Sequence, residues 1–90
     1  MGKKYSLQFS EKALKQLHKL DKQHFTIILN WLEKNIDGCE NPRQHGKPLS
    51  ANLSGSWRYR IGDYRVIANI QDEKVVVLVL TVGHRKDIYK

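Results

Sequence analysis

The stretch Trp57-Arg58-Tyr59-Arg60-Ile61-Gly62-Asp63-Tyr64-Arg65-Val66 decides the fold, because it predicts a β-hairpin with a defined register. Gly62-Asp63 is a two-residue hairpin signal between two runs of alternating residues. With this loop, Arg60 lies directly opposite Arg65 on the neighbouring strand. Side chains alternate between the two faces of a strand, so the aromatic residues share one face and the arginines share the other.

The arginine face of this hairpin carries three guanidinium groups and no carboxylate in either strand; they belong to Arg58, Arg60 and Arg65. Like charges directly opposite each other destabilise a sheet by up to about 1 kcal/mol. Guanidinium groups make bidentate contacts with phosphate, which suits an arginine cluster to a polyanion. The pattern therefore predicts an anion-binding face, against the alternative of a basic face that arose by chance.

The chain before the hairpin predicts one strand and two helices. Alternation from Tyr5 to Phe9 is typical of a half-buried strand. Ser10 and Asp21 are suited to begin two successive helices with apolar stripes, and Gly38 is suited to end the second. The residues that join the helices are few, which predicts an antiparallel helical hairpin. Residues 39–56 then form a long polar loop, and loops of this length are usually functional.

The chain after the hairpin predicts a third strand of a meander. Asp72-Glu73 forms the turn, and the apolar run at 75–80 indicates a strand covered on both faces. Gly83 is expected to break this strand. The expected fold is α+β, with an N-terminal strand, a two-helix hairpin and a three-stranded antiparallel meander in one domain, residues 1–90.

The C-terminal tail carries three further candidate residues, His84, Arg85 and Tyr89. Strict alternation along the last strand places His84, rather than Arg85, on the face of Arg65. A bulge at Gly83 would turn Arg85 towards that face instead. Tyr89 is suited to stacking on a base or to proton transfer.

Composition sets the class of partner. The 90 residues hold 16 Lys and Arg against 9 Asp and Glu, a net charge of +7, which favours nucleic acid, an acidic protein or an anionic membrane. The alternative is a surface charged for solubility. The single cysteine, Cys39, excludes an internal disulfide and a multi-thiol metal site. With no signal peptide and no apolar run of membrane length, we expect a cytoplasmic protein without a metal or cofactor.

Several stretches together resemble the RelE family of toxins from bacterial and archaeal toxin–antitoxin modules. They are Gly46-Lys47-Pro48-Leu49-Ser50, the segment 53–67 around the hairpin, Val82-Gly83-His84-Arg85 and Ile88-Tyr89. The N-terminal strand and the helical hairpin also fit the layout of this family, so the resemblance covers essentially the whole chain. The family shares its fold with small microbial ribonucleases.

The resemblance implies an endoribonuclease that enters the ribosomal A site and cuts messenger RNA there. It also implies an acidic, partly disordered antitoxin that wraps and blocks the toxin. The family's active-face residues fall here on Arg58, Arg60, Arg65, Arg85 and Tyr89. We expect Lys47 to bind RNA phosphate together with Arg58 and Arg60, while Arg65, Arg85, Tyr89 and His84 take part in catalysis.

One departure from the family affects the chemistry. Well-studied members have lysine where this chain has Arg58 and Arg60, and arginine does not lose its proton in proteins. Proton transfer then falls on Tyr89 or His84, or is shared differently. Tyr89 is suited to act as base, and Arg85 or His84 would serve the leaving group. Two alternatives remain: a related ParE-type toxin that binds DNA gyrase, and a non-catalytic module that binds RNA or the ribosome.

Overall fold

The computed structural model describes residues 2–49 and 56–84, which form two helices and a five-stranded sheet. The helices are α1 (Glu11–His18) and α2 (Lys22–Asn35), and a short 3-10 turn spans Pro42–Gln44. The strands are β1 (Ser6–Phe9), β2 (Lys47–Pro48), β3 (Ser56–Ile61), β4 (Tyr64–Gln71) and β5 (Val76–His84). The strand order across the sheet is β1-β5-β4-β3-β2, which confirms the predicted α+β class.

The sheet is antiparallel except at one edge. The pairs β2–β3, β3–β4 and β4–β5 are antiparallel, as expected for a meander. The N-terminal strand β1 pairs in parallel with β5, with Leu7 opposite Val77. The two helices therefore connect the edge strand β1 to the rest of the domain, and β1 and β2 are the two edge strands of the sheet.

The helices begin where the sequence predicts, and the second ends earlier. The Ser10 hydroxyl oxygen accepts a hydrogen bond from the Ala13 amide at 3.0 Å and caps α1. Asp21 begins α2 with an extended backbone, but its carboxylate binds the His24 ring rather than a backbone amide. The last residue of α2 is Asn35, before Gly38, whose amide instead donates to the Tyr5 carbonyl at 2.7 Å.

The core lies between one face of the sheet and the two helices. It is built from the following buried residues: Ala13, Leu17, Ile28, Leu32, Ile36, Tyr59, Ile61, Val66, Ala68, Ile70, Val77, Val79 and Val82. Tyr59 is the largest of them, and burial raises the pKa of its phenol. Its hydroxyl donates to the Pro42 carbonyl at 2.7 Å, so the polar end of this core residue is satisfied. No helix in the described ranges is long and apolar enough to cross a membrane.

Strand β5 differs from its prediction in two ways. It continues through Gly83 to His84, so the expected break at Gly83 is wrong. Its register also shifts at Leu80: Val79 pairs with Ala68 and Thr81 pairs with Ile67, which leaves Leu80 as an extra residue. The Leu80 carbonyl accepts a hydrogen bond from the Ser10 hydroxyl at 3.1 Å. This bulge reverses the alternation of every later side chain in the strand.

The apolar run in β5 is covered unequally on its two faces. Val77 and Val79 are fully buried against the helices, whereas Val76 and Leu78 on the other face are half-buried. The prediction that both faces of β5 are buried is therefore confirmed for the face towards the helices, and the opposite face is half-buried. The second face of the sheet is the more open one, and it is also the face that carries the arginines.

Candidate functional site

The predicted hairpin register is confirmed. Arg60 pairs with Arg65 and Ile61 pairs with Tyr64 across the Gly62-Asp63 turn. Tyr59, two residues before Ile61, belongs to the helix-side core. The arginine side chains thus point away from the core, onto the second face of the sheet.

Three elements together form a basic cleft of about 210 Å³ on this second face. Its lining residues are Gly46, Lys47, Arg58, Arg60 and Arg65. Strands β3 and β4 supply the three arginines, and β2 supplies Lys47, which pairs directly with Arg58. The three residues expected to bind RNA phosphate and the expected catalytic Arg65 thus line one cleft, and no acidic residue lines it among the residues that the structure describes.

Gly46 allows the loop to approach β3 closely enough to complete the basic cleft. Its φ of +76° lies in the left-handed region, which residues with a side chain rarely adopt. A Cβ atom at this position would lie 2.0 Å from the carbonyl oxygen of Arg58, which is a severe overlap with backbone. In the sequence, the mark of this close approach is the glycine directly before Lys47-Pro48. The periodic patterns that predict strands and helices do not indicate that the approach occurs.

Residues 41–48, the edge segment, are fixed to the sheet from the helix side. The Trp57 indole N–H donates to the His45 carbonyl, and the buried Tyr59 hydroxyl donates to the Pro42 carbonyl. The Trp31 ring of α2 packs against both the His45 and the Tyr59 rings, with centroids 5.6 Å apart in each case. Aromatic residues on the core face of β3 therefore position the segment that carries Lys47.

A charged network fixes the same segment to the far end of the sheet. Arg43 donates two hydrogen bonds to the Asp72 carboxylate, at 3.0 and 2.9 Å, and the Tyr5 hydroxyl donates to it at 2.6 Å. Together these donors lower the pKa of Asp72 to about 2, and the hydrogen bond with Asp72 raises the pKa of Tyr5. The sequence indicates an ordinary turn at Asp72-Glu73; the structure adds an anchoring contact from the long loop.

Arg65 is a buried cation whose charge is not matched by an ion pair in residues 2–49 and 56–84. Its exposed fraction is 7%, and its guanidinium donates to the Tyr64 carbonyl at 3.5 Å. The ion pairs that the structure shows in these ranges involve neither Arg65 nor its cross-strand partner Arg60. Two cations held side by side in this way attract an anion such as phosphate.

His84 lies on the opposite face from the basic cleft. It pairs with Tyr64, while Gly83 pairs with Arg65. The His84 ring packs edge-on against the Tyr64 ring at 5.6 Å, and Tyr64 in turn contacts His24 of α2 at 5.0 Å. The expectation that alternation turns His84 towards Arg65 is wrong, because the bulge at Leu80 shifts the register before Gly83. Its role in catalysis stays a prediction.

The remaining candidate residues of the tail, Arg85 and Tyr89, lie outside the described residues. Their predicted roles in catalysis therefore stay predictions. The candidate site in the described part of the chain is the basic cleft, which can bind and neutralise one phosphate group with several cations.

Comparison with known proteins places the chain beside toxins of type II toxin–antitoxin systems. A family model described as the ParE toxin of the type II toxin–antitoxin system parDE matches residues 7–89. Toxin RelG of Mycobacterium tuberculosis is 34% identical over 86 residues, covering 96% of this chain and 97% of the relative. The mRNA interferase toxin RelE of Escherichia coli is 32% identical over 84 residues, covering 91% of this chain and 84% of the relative.

Solved structures agree with the sequence relatives. The toxin–antitoxin complex RelBE2 of Mycobacterium tuberculosis contains a chain with a TM-score of 0.81 and 32% identity, covering 91% of this chain and 92% of the other. The isolated RelE toxin of Escherichia coli has a TM-score of 0.73 and 30% identity, covering 94% and 90%. The fold and the sequence therefore point to the same group of toxins.

Proposed function

Because the chain belongs to the RelE family of toxins from type II toxin–antitoxin systems, we propose that it cuts messenger RNA in the ribosomal A site and so stops translation. The Escherichia coli relative is named an mRNA interferase, which is an endoribonuclease. The observation that carries the proposal is the basic cleft, where Lys47 and three arginines surround a volume of about 210 Å³. Such a cleft suits one phosphate of an RNA backbone.

The proposed reaction is an internal transfer within the RNA. The ribose 2′-oxygen attacks the adjacent phosphorus, the bond from phosphorus to the 5′-oxygen breaks, and a 2′,3′-cyclic phosphate forms. A base takes the proton of the 2′-hydroxyl, and an acid gives a proton to the departing 5′-oxygen. Cations stabilise the negative charge that develops on the phosphate oxygens. The proposed mechanism uses no metal ion and no cofactor.

The cleft arginines supply the charge stabilisation. Arg65 is buried and fixed in β4, so it is already in position before the substrate arrives, which is the condition for efficient transition-state stabilisation. Arg58 and Arg60 bind the phosphate and neutralise it. Both keep their protons, so neither replaces a lysine as an acid or a base.

The departure from the family at Arg58 and Arg60 assigns proton transfer to the tail. Tyr89 is the proposed base, since guanidinium groups close to a phenol would favour its ionised form. Arg85 or His84 is the proposed donor to the leaving group. The packing of His84 against Tyr64, on the far face of the sheet, counts against His84 as this donor.

The proposed partners follow from charge and from the relatives. The relatives of known structure include a toxin–antitoxin complex, and a chain of net charge +7 suits an acidic antitoxin that covers the basic cleft. The ribosome and its messenger are the proposed targets. We expect the protein to act in the cytoplasm.

The second candidate function is a ParE-type toxin that binds DNA gyrase, and the description of the matching family model favours it. The arginine pair Arg60–Arg65 in a phosphate-sized cleft favours the ribonuclease. The two activities are separable, because gyrase inhibition is measured as loss of DNA supercoiling in the absence of ribosomes.

Primer extension on translated messenger tests the proposal. With the wild-type protein present, we expect extension to stop at new 5′ ends within codons at the A site, with no cutting of free messenger. Tyr89→Phe should bind ribosomes but cut about 10²- to 10⁴-fold more slowly, as expected for loss of a general base. Tyr5→Phe is the matched control, since Tyr5 lies in the Asp72 network. Unchanged messenger together with inhibited gyrase would establish the second candidate instead.

A further inference from the structure

The basic cleft holds one residue that can exchange a proton among the described residues that line it. Three of the five lining residues are arginines and one is glycine; the fifth is Lys47. A guanidinium keeps its proton throughout the pH range that proteins tolerate, whereas an ammonium group can release one. Lysine side chains are ordinarily protonated at neutral pH, so a lysine is ready to act as a proton donor.

The backbone before Lys47 is held in place by contacts with strand β3. Lys47 pairs with Arg58 across β2 and β3. The glycine before it lies directly against the Arg58 backbone, and the carbonyl of His45 is bound by Trp57. The backbone on the N-terminal side of Lys47 is therefore held on the sheet, and its side chain lines the cleft from the side opposite β4.

We propose that Lys47 is the general acid that protonates the 5′-oxygen as it leaves. The proposal rests on the proposed ribonuclease function. As the bond from phosphorus to the 5′-oxygen breaks, the electron pair of that bond takes a proton from the Lys47 ammonium group. The products are a 5′-hydroxyl and a neutral amine, which regains its proton from water. The proton of the attacking 2′-hydroxyl goes to a separate base.

This assignment explains how a cleft with arginine at positions 58 and 60 retains a proton donor. The family's lysines at those positions are absent here, but a lysine enters the same cleft from the neighbouring strand. His84 does not compete for the role from its place beside Tyr64 on the helix side. The lysine of this cleft therefore lies on β2 rather than on β3, and the charge of the cleft is kept.

Lys47→Arg is the variant that tests the proposal, because it keeps the charge and removes an efficient acid. In single-turnover cleavage on programmed ribosomes we expect the rate to fall by about tenfold or more. Binding of a non-cleavable 2′-O-methyl messenger should change by less than about twofold, since the phosphate contact is kept. Lys74→Arg is the matched control: Lys74 is exposed in the turn before β5, and its rate should equal that of the wild type.

A messenger with sulfur in place of the bridging 5′-oxygen at the cut site identifies the step. A thiolate leaves without a proton, so Lys47→Arg and the wild type should cut this substrate at the same rate. An equal loss on both substrates would overturn the proposal and leave Lys47 as a binding residue.

The failure of this proposal is distinguishable from failure of the proposed function. A wild-type protein that leaves translated messenger uncut fails the function itself. A wild-type protein that cuts, with Lys47→Arg cutting at the same rate, keeps the function and overturns the role of Lys47.

Discussion

Two arginine sites lie on the same small sheet, and they differ in what faces the guanidinium. Arg43 meets the Asp72 carboxylate through two hydrogen bonds at the end of the sheet near Tyr5. Arg65 lies near the other end, is more deeply buried, and faces Arg60 rather than a carboxylate. At the first site a carboxylate of the protein neutralises the charge of the arginine. At the second site the charge would be neutralised by a bound anion.

This difference distinguishes a charge that stabilises the fold from charges that serve binding or catalysis. Bidentate contact with Asp72 anchors the edge segment, so removal of Arg43 should lower the free energy of unfolding. The like-charged pair Arg60–Arg65 costs folding free energy, because opposed like charges destabilise a sheet. A cost of this kind, retained in a folded protein, indicates a site whose arrangement serves binding or catalysis.

The largest expected effect is on activity at Arg65. Arg65→Ala should cut translated messenger about 10²- to 10³-fold more slowly, the range measured for loss of one donor that stabilises a transition state. Arg43→Ala should lower the free energy of unfolding and leave the rate per folded molecule within about twofold of wild type, since Arg43 lies outside the cleft lining. Single-turnover kinetics and urea denaturation on the same samples measure both quantities. Equal rate losses in the two variants would break the distinction between the sites.

The next prediction distinguishes the effect of the close contact between the edge segment and β3 from the effect of backbone strain alone. Gly46→Ala should destabilise the protein by about 1–3 kcal/mol from the positive φ alone, and more because of the overlap with the Arg58 carbonyl. Gly38→Ala has a similar φ of +80° and nothing within 4 Å of the added Cβ, so it carries the strain without the overlap. Cleavage should fall in Gly46→Ala and persist in Gly38→Ala. Urea denaturation that finds the two variants equally stable would contradict the close approach.

The Arg43–Asp72 contact should make folding sensitive to acid. The pKa of Asp72 is about 2 in the folded protein, below its ordinary value of 3.8, so the carboxylate is more acidic when folded. Its contribution to stability is complete above about pH 4 and is lost as the pH falls towards 2. Asp72→Asn should lower the free energy of unfolding by about 1 kcal/mol at pH 7, and the difference from wild type should shrink below pH 4. A difference that is constant with pH would mean that the carboxylate charge is not what stabilises the contact.

The smallest expected effect is a gain in the free energy of unfolding rather than a loss. Arg60→Gln removes the like-charge contact with Arg65, and we expect it to stabilise the fold by up to about 1 kcal/mol while it weakens RNA binding. Thermal unfolding at low salt measures the gain, and added salt should reduce it because salt screens the repulsion. A loss of stability in Arg60→Gln would show that the arginine pair does not carry a cost in folding.

The hairpin is the part of the fold that the sequence predicts best. Gly62-Asp63 is short enough to allow one register, so the pairing of Arg60 with Arg65 and the face of the aromatic residues follow directly. The helix start at Ser10 follows from capping chemistry in the same local way, and the start at Asp21 is also where the sequence predicts it, although the Asp21 carboxylate binds the His24 ring rather than a backbone amide. Local signals of this kind depend on a few neighbouring residues, and they predicted most of the basic cleft.

The remaining features depend on contacts between distant residues. Strand β2 spans Lys47–Pro48, too short for a periodic pattern, and its position depends on Gly46 and Trp57. The bulge at Leu80 lies inside a continuous apolar run, where no residue marks it. One extra residue there reverses the face of every later side chain, which is why the predicted position of His84 is wrong.

The most direct test of the central claim observes the arginine side chains while RNA phosphate binds. A short 2′-O-methyl RNA is added to the protein labelled at the arginine Nε atoms, and the side-chain N–H resonances are followed by NMR. We predict that the resonances of Arg58, Arg60 and Arg65 shift on binding, while that of Arg43, already bound to Asp72, stays in place. Resonances assigned by single Arg→Lys variants make the comparison specific. Movement of the Arg43 signal with Arg60 and Arg65 unchanged would contradict the account.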